Sequence, residues 1–333
     1  MALLEVENLK TYYYTLRGPV KAVDDVSFDL EKGRILGIAG ESGCGKSTLA
    51  WSLLGMVPPP GKIAGGSIYL NGTDIAKMSE EELRSKVRWK KISMIFQGAM
   101  NSLNPVYSAG AQIEEVLTYH GKMSKQDARR RVYELLESVG LDRSLANRYP
   151  HELSGGQKQR VVIAMALSLE PDIVIADEPT TALDVVVQAQ ILNLLKKLQR
   201  EKGISVILIT HDLAVIAELA DEVAIMYAGK IAEYGTSEQI FYKPRHPYTY
   251  LLMKAVPKLK GPKESLIFIP GQPPDLVNPP KGCRFAPRCP WAMDMCSEEP
   301  SEAASEERHR VACWLEKVYP GQSLELSRKL LSR

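Results

Sequence analysis

Short apolar runs of strand length recur along the chain, and several of them end in a glycine, an amide or a charged residue. Runs that are apolar at nearly every position cover residues 35–39, 92–96, 173–176 and 204–209. Such runs are typical of strands that are buried on both faces of a parallel sheet. Residues 3–9 alternate after their first pair, which predicts a half-buried strand. The pattern therefore predicts an α/β fold.

Helical spacing separates these runs. Residues 98–165 are predicted to form a helical insertion between strands, because apolar residues recur at i, i+3, i+4 and i+7 within it, at Val132, Leu135, Leu136 and Val139. The highly charged residues 78–91 are predicted to form one solvent-exposed helix. Further helices are predicted at 185–200 and 213–220.

The composition changes after Gly235, where proline becomes frequent. We therefore predict a first domain at 1–235 and a small, loop-rich extension at 236–333. The extension contains four of the five cysteines. A metal centre would help so small a core to fold.

One motif dominates the first domain. The stretch from Gly40 to Ser47 matches G-x-x-x-x-G-K-[ST] and lies between a predicted strand and a predicted helix. This context is typical of a loop that binds the phosphates of ATP, with Lys46 on the β- and γ-phosphates and the Ser47 hydroxyl on Mg²⁺. The residues expected to line the site are Gly40, Ser42, Gly43, Cys44, Gly45, Lys46, Ser47 and Thr48.

Polar residues follow three of the apolar runs, at Gln97, at Asp177 with Glu178, and at His211. Ligands of parallel α/β sheets bind beyond the carboxyl ends of the strands, so these side chains are expected to gather beside the phosphate loop. Taken singly, each has a plainer interpretation. Gln97 could be a surface amide, the carboxylates a turn cap, and His211 a structural histidine.

A second anion-binding element is predicted at Leu153–Gln157, where a serine and two glycines open a helix. The dipole and free N–H groups of a helix N-terminus attract phosphate. Ser154 and Gly156 lie far along the chain from the first loop. They are therefore expected to contact the ATP that is bound by another chain.

Residues 1–235 resemble the ATP-binding subunits of ABC transporters, because all of these motifs occur in that family's order. The resemblance implies a P-loop NTPase cassette with a RecA-like core, an antiparallel β subdomain and an α-helical subdomain. It implies that Glu178 is the catalytic base, and that His211 and Gln97 assist catalysis. It implies Mg²⁺ ligands at Ser47, Gln97 and Asp177. An aromatic ring should stack on adenine; Tyr13 is chosen by position, with Tyr12 and Tyr14 as alternatives.

Residues 96–105, His246–Thr249 and the cysteine-bearing tail resemble the oligopeptide and dipeptide importers within this family, apart from Gly98-Ala99, where Asp-Pro is usual. This implies a second, paralogous ATPase subunit, two integral membrane permease subunits and an external substrate-binding protein. It also implies a peripheral location at the cytoplasmic face of the cell membrane. Nickel or another small solute is an alternative cargo. A soluble ABC ATPase of translation or DNA repair is an alternative class.

The remaining composition agrees with a soluble ATPase. The net charge of +2 gives no reason to expect nucleic acid as a partner. No apolar run approaches the roughly 18 residues that span a bilayer, and the N-terminus does not have the pattern of a signal peptide. The chain itself is therefore expected to be cytosolic.

The four clustered cysteines are Cys283, Cys289, Cys296 and Cys313. Their spacing differs from the paired knuckles of zinc ribbons, and four thiolates suit either zinc or an iron–sulfur cluster. The resemblance implies a [4Fe–4S] cluster. Structural Zn²⁺, free thiols and a redox sensor attached to the ATPase are the alternatives.

Overall fold

The computed structural model describes residues 2–255, 269–306, 308–320, 322 and 324. The chain divides into two compact units. The first consists of Met1–Leu3, Leu30–Ile35 and Lys77–Thr210, and the second of Leu4–Asp29, Leu36–Ala76 and His211–Arg333. The predicted boundary between residues 235 and 236 stays a prediction.

In the described part of the chain the strands are β1 (Ala2–Thr15), β2 (Gly18–Glu31), β3 (Ile35–Ala39), β4 (Gly61–Leu70), β5 (Thr73–Asp74), β6 (Ile92–Ile95), β7 (Ile173–Asp177), β8 (Ser205–Ile209), β9 (Glu222–Tyr227), β10 (Lys230–Thr236), β11 (Ala303–Glu306) and β12 (His309–Val311). The α-helices are α1 (Lys46–Leu53), α2 (Glu80–Glu82), α3 (Ala109–Tyr119), α4 (Lys125–Ser138), α5 (Gly155–Ala166), α6 (Val185–Lys202), α7 (Leu213–Leu219), α8 (Ser237–Tyr242), α9 (Pro247–Lys254) and α10 (Trp314–Val318).

The first unit contains three parallel strands in the order β6-β7-β8. Ile92 pairs with Ile173, and Ile173 with Ser205. Every position of these strands is buried, which confirms the interpretation of the fully apolar runs. Because parallel strands end at the same edge, the residues that follow β6 and β7 lie close together.

The segment predicted as a helical insertion contains α3, α4 and α5, and its bounds at 98–165 stay a prediction. Serine side chains cap α3, α4 and α5 by accepting hydrogen bonds from backbone N–H groups in their first turns, at Ser108, Ser124 and Ser154. The buried residues of α4 include Val132, Leu135 and Leu136, as the periodicity predicted.

The charged segment at 78–91 does not form the single helix that was predicted. The α-helical part is limited to Glu80–Glu82, and a wider π-helical turn follows at Leu83–Val87. In this turn the Arg88 N–H donates to the Leu83 carbonyl. Leu83 and Val87 are buried, so the segment also has an inward face and is not exposed to solvent throughout.

In the second unit, four strands form a sheet in the order β2-β1-β4-β5. Strands β1 and β4 are antiparallel, with Leu4 opposite Leu70 and Val6 opposite Ile68. These four side chains are buried, so the alternation seen at residues 3–9 marks the face that packs inward.

The second unit also contains the strand that precedes the phosphate loop. Strand β3 runs parallel to β9, and β9 and β10 form an antiparallel hairpin around Gly229. Strand β12, from the extension, pairs with β10 through Glu233 opposite Val311. The extension is rich in loops and short 3₁₀ turns, but it also continues this sheet.

Among the residues that the structure describes, none of the helices combines the length and apolar character needed to cross a membrane.

We predict that Glu233→Ala lowers the free energy of unfolding by about 3 kcal/mol, because it removes a buried carboxylate and leaves its partners unpaired. Glu233 is fully buried, accepts from the N–H groups of Arg245 and His246, and lies 2.8 Å from Nε2 of His309. Denaturant unfolding measures the loss. Glu302→Ala, which removes an exposed carboxylate 3.8 Å from Arg310, is the control and should change stability by less than about 0.5 kcal/mol. Equal effects of the two substitutions would contradict the prediction.

Candidate nucleotide-binding site

The predicted site residues are divided between the two units. The first unit carries Gln97, Ser154, Gly156, Asp177 and Glu178. The second unit carries Tyr13, residues 40–48 and His211.

The phosphate loop joins β3 to α1 through a backbone that only glycine can follow at two positions. Gly40 has φ 151° and Gly45 has φ 106°. A Cβ on Gly40 would lie 2.1 Å from the Met226 carbonyl oxygen, and one on Gly45 would lie 2.0 Å from the Ala22 carbonyl oxygen. The loop is therefore held against two backbone segments that leave no room for a side chain.

Lys46 is buried inside the curl of this loop. Its Nζ donates to the Gly40 carbonyl at 2.8 Å and to the Glu41 carbonyl at 3.0 Å. Ser47 and Thr48 follow in the first turn of α1, where the N–H groups and dipole of the helix favour an anion. The loop thus combines a fixed cation with a helix N-terminus.

Cys44 has a structural part in the loop. Its carbonyl accepts from the Gly229 N–H at 2.9 Å, and burial raises the pKa of its thiol. The thiol is therefore neutral at physiological pH. Ser42, in contrast, is exposed.

Glu41 makes contacts that the sequence did not predict. Its N–H donates to the Tyr248 hydroxyl at 2.9 Å. Both of its carboxylate oxygens accept from Arg288, at 2.6 and 3.0 Å. Because 247 positions separate Glu41 from Arg288, no local sequence signal could have revealed this pair.

The three consecutive tyrosines of β1 have different surroundings. The Tyr12 hydroxyl donates to Asp24 at 2.5 Å, and burial together with this carboxylate raises the pKa of Tyr12. The Tyr13 hydroxyl lies 3.4 Å from Oγ1 of Thr48, and Tyr14 is half exposed. Tyr13 is thus the tyrosine in contact with the helix that follows the loop, and its role against adenine stays a prediction.

Gln97 and Glu178 meet at the ends of their strands. Gln97 Nε2 donates to Glu178 Oε2 at 2.7 Å, and the Thr181 hydroxyl donates to the same oxygen at 3.0 Å. Glu178 itself has φ 47°, a left-handed conformation that is costly for a side-chain-bearing residue and clusters at functional sites. The contact of Thr181 with Glu178 was not predicted from the sequence.

Asp177 is the last residue of β7 and is 2% exposed. Carboxylate, hydroxyl and amide oxygens are the ligand types that Mg²⁺ prefers, so Asp177, Ser47 and Gln97 suit this ion chemically. His211 is exposed and directly precedes Asp212, which caps α7. The predicted roles of these residues stay predictions.

The serine–glycine tip at the start of α5 is exposed and well ordered by hydrogen bonds. The Ser154 hydroxyl accepts from the Gln157 N–H at 3.3 Å, and Gln157 Oε1 accepts from the Ser154 N–H at 2.9 Å. A Cβ on Gly156 would lie 2.7 Å from Val187 of α6. The small residue therefore lets α5 and α6 pack closely beside the tip.

The four clustered cysteines are free thiols that line one small cavity, together with Trp291 and Trp314. Burial raises the pKa of Cys283 and Cys313, and raises that of Cys289 to about 12. Within the described ranges, no three or more His, Cys, Asp or Glu side chains are arranged to hold a metal ion. The cysteines share a cavity, therefore, without forming a preformed ligand set.

Comparison with known proteins supports the interpretation of the phosphate loop as part of an ATP-binding cassette. The sequence model of the family described as "ABC transporter" matches residues 23–181, and that of "Oligopeptide/dipeptide transporter, C-terminal region" matches residues 232–296. The dipeptide transport ATP-binding protein DppD of Bacillus subtilis is 50% identical over 318 residues, covering 94% of this chain and 95% of that protein.

The chain belongs to the ABC transporter ATP-binding family, in its oligopeptide/dipeptide branch. The oligopeptide transport ATP-binding protein OppD of Escherichia coli is also 50% identical, over 90% of this chain and 89% of that protein.

Among solved structures, the ATP-binding cassette MJ0796 in a dimeric post-hydrolysis state with ADP and Pi is 32% identical with a TM-score of 0.61. The match covers 70% of this chain and 98% of MJ0796. The P-loop NTPase cassette fold and the ATPase activity that the sequence predicted are thereby confirmed.

We predict that Gly45→Ala weakens MgATP binding by about a hundredfold or more, because the new methyl group would displace the loop from the Ala22 carbonyl. Isothermal titration of MgATP measures the effect. Gly203→Ala is the matched control, since Gly203 also has a positive φ but has no atom within 4 Å of the added Cβ. It should cost about 1 kcal/mol of stability and leave MgATP affinity unchanged. Normal MgATP affinity in Gly45→Ala would refute the steric account of the loop.

Proposed function

We propose that this chain is the ATP-hydrolysing subunit that powers the import of dipeptides or oligopeptides through an ABC transporter. One observation carries the choice of cargo: the extension matches the C-terminal region of oligopeptide/dipeptide transporters at residues 232–296. The names of DppD and OppD, each 50% identical to this chain, support the same cargo. In this proposal the chain lies peripherally at the cytoplasmic face of the membrane.

The phosphate loop binds the nucleotide through its phosphates. Lys46 offers its charge to the β- and γ-phosphates, and the N–H groups of the loop and of α1 surround them. Ser47, Gln97 and Asp177 would hold Mg²⁺, which would supply positive charge against the phosphate oxygens. Tyr13 supplies the ring that stacks on adenine.

Glu178 is the base that accepts a proton from the attacking water. Hydrogen bonds from Gln97 and Thr181 to Oε2 fix the direction of its carboxylate, which supports a role in orienting a water molecule for in-line attack. His211 contacts the γ-phosphate. The chemistry consists of positioning and charge stabilisation.

Residues from two cassettes together form each ATP site. The tip at Ser154 and Gly156 reaches the γ-phosphate of the ATP that the partner cassette binds. The dimeric structure of the cassette MJ0796 supports a two-cassette assembly. The partner in this proposal is a paralogous ATPase subunit. Closure of the pair drives two integral membrane permease subunits, which receive peptide from an external substrate-binding protein.

We expect Glu178→Gln to retain MgATP binding but to lower ATP turnover and dipeptide uptake at least about a hundredfold, because the amide cannot accept the proton. Binding, phosphate release and uptake of labelled dipeptide are measured with the transporter in proteoliposomes. Glu134→Gln, at an exposed ion pair with Arg131, is the control and should behave like the parent.

Two results would contradict the assignment. ATP turnover at the parental rate in Glu178→Gln would exclude Glu178 as the base. ATP-dependent uptake of nickel without uptake of any peptide would exclude the proposed cargo while leaving the ATPase chemistry intact.

We also propose that Cys283, Cys289, Cys296 and Cys313 bind a [4Fe–4S] cluster, with structural zinc as the alternative occupant. The support is that all four line one cavity and that four sulfur ligands suit either occupant. This site requires the side chains to turn toward a common centre, because the described residues contain no preformed ligand set.

Iron and acid-labile sulfide in anaerobically purified protein test this assignment. We expect about four of each per chain, and a large loss of both in Cys296→Ser. Cys44→Ser is the matched control, since this buried cysteine lies in the phosphate loop, and it should keep the full content. Zinc without sulfide, or iron content that is insensitive to Cys296→Ser, would rule out the cluster.

A further inference from the structure

The phosphate loop contains a carboxylate, at Glu41, although the loop receives a polyanion. An uncompensated negative charge beside a triphosphate opposes binding by direct Coulomb repulsion. A cationic side chain of the extension, outside the motifs that define the cassette, compensates this charge.

Arg288 neutralises Glu41 through a two-pronged ion pair. The guanidinium NH1 and NH2 groups donate to the two carboxylate oxygens at 2.6 and 3.0 Å. The Arg288 side chain is only 5% exposed, so solvent screens this pair far less than it screens a surface ion pair. A planar guanidinium that meets a carboxylate in this way fixes direction as well as charge.

Arg288 is itself held in place by two other groups. Its Nε donates to the Pro270 carbonyl at 2.7 Å, and its NH1 donates to the Tyr227 hydroxyl at 3.2 Å. The guanidinium therefore reaches Glu41 from a fixed position rather than as a mobile surface cation.

Tyr248 holds the backbone of the same loop residue. Its hydroxyl accepts from the Glu41 N–H at 2.9 Å. The Tyr248 ring is fully buried and packs against Tyr227 and Phe285, with centroids 4.6 and 5.4 Å apart. The backbone and the side chain of Glu41 are thus both fixed by residues outside the loop.

We propose that Arg288 is a positioning residue for the phosphate loop. It cancels the Glu41 charge and holds the loop in the shape that accepts the triphosphate. Arg288 directly precedes Cys289, so the segment that carries the cysteines also supports the nucleotide site. This inference concerns nucleotide binding and does not depend on which cargo is transported.

A charge-rescue experiment with the full chain tests the proposal. Arg288→Met leaves the Glu41 carboxylate uncompensated, and we expect MgATP affinity to fall about tenfold. Glu41→Gln in the same chain removes the unpaired charge, and we expect the double variant to recover to within about threefold of the parent. A purely structural role for Arg288 would give no recovery.

Two further variants make the outcome decisive. Arg288→Lys keeps the charge but loses the two-pronged geometry, so its MgATP affinity should lie between those of the parent and Arg288→Met. This variant gives a readout even if Arg288→Met folds poorly. Arg17→Met removes a different arginine that pairs with the extension, at Asp275, and should not change affinity because this pair is exposed. The proposal is overturned if the double variant binds no better than Arg288→Met, or if Arg288→Lys is as weak as Arg288→Met.

Discussion

The close packing of the phosphate loop against two backbone carbonyls is the constraint on which the nucleotide site depends. Gly40 faces the Met226 carbonyl and Gly45 faces the Ala22 carbonyl, each at a distance that excludes any side chain. With this packing, Lys46 lies inside the curl of the phosphate loop, and α1 begins at Lys46, directly after Gly45. The conformation that receives the phosphates is thus set by steric exclusion and by contacts from neighbouring segments, and ATP binding does not have to create it.

Local hydrogen bonds likewise fix the carboxylate of Glu178, which we propose as the catalytic base. Glu178 follows a fully buried strand, adopts a left-handed backbone conformation, and accepts hydrogen bonds from Gln97 and Thr181. Gln97 lies two residues beyond the end of the neighbouring strand β6 in the same parallel sheet. A movement of the segment that carries Gln97 would therefore alter the environment of the Glu178 carboxylate directly. With Glu178 in its proposed role, this contact would link events at that segment to hydrolysis.

The sequence was most informative where the chemistry is encoded by neighbouring residues. The phosphate loop, the carboxylates after β7 and the capped tip at Ser154 are contiguous motifs, and the buried strands show as unbroken apolar runs. The charged segment at 78–91 was misjudged because its charge pattern hid two features, the burial of Leu83 and Val87 and the π-helical turn that they occupy. Contacts such as Glu41 with Arg288, or Glu233 with His309, join distant parts of the chain, so no local pattern or periodicity in the sequence predicts them. The four cysteines that the sequence analysis grouped together line one cavity, but their spacing alone does not determine whether they bind a metal centre, or which one.

The central claim is that each ATP site is shared: one cassette binds the triphosphate, and a second cassette supplies the remaining contacts to its γ-phosphate. The most direct measurement is a structure of the assembled transporter with MgATP trapped by slow hydrolysis. The account predicts that one triphosphate lies in the Gly40–Ser47 loop of this chain. It also predicts that Ser154 of this chain lies within hydrogen-bond distance of a γ-phosphate oxygen of the ATP held by the partner cassette. A trapped, hydrolysis-competent state in which every phosphate contact comes from a single chain, with Ser154 in solvent, would contradict it.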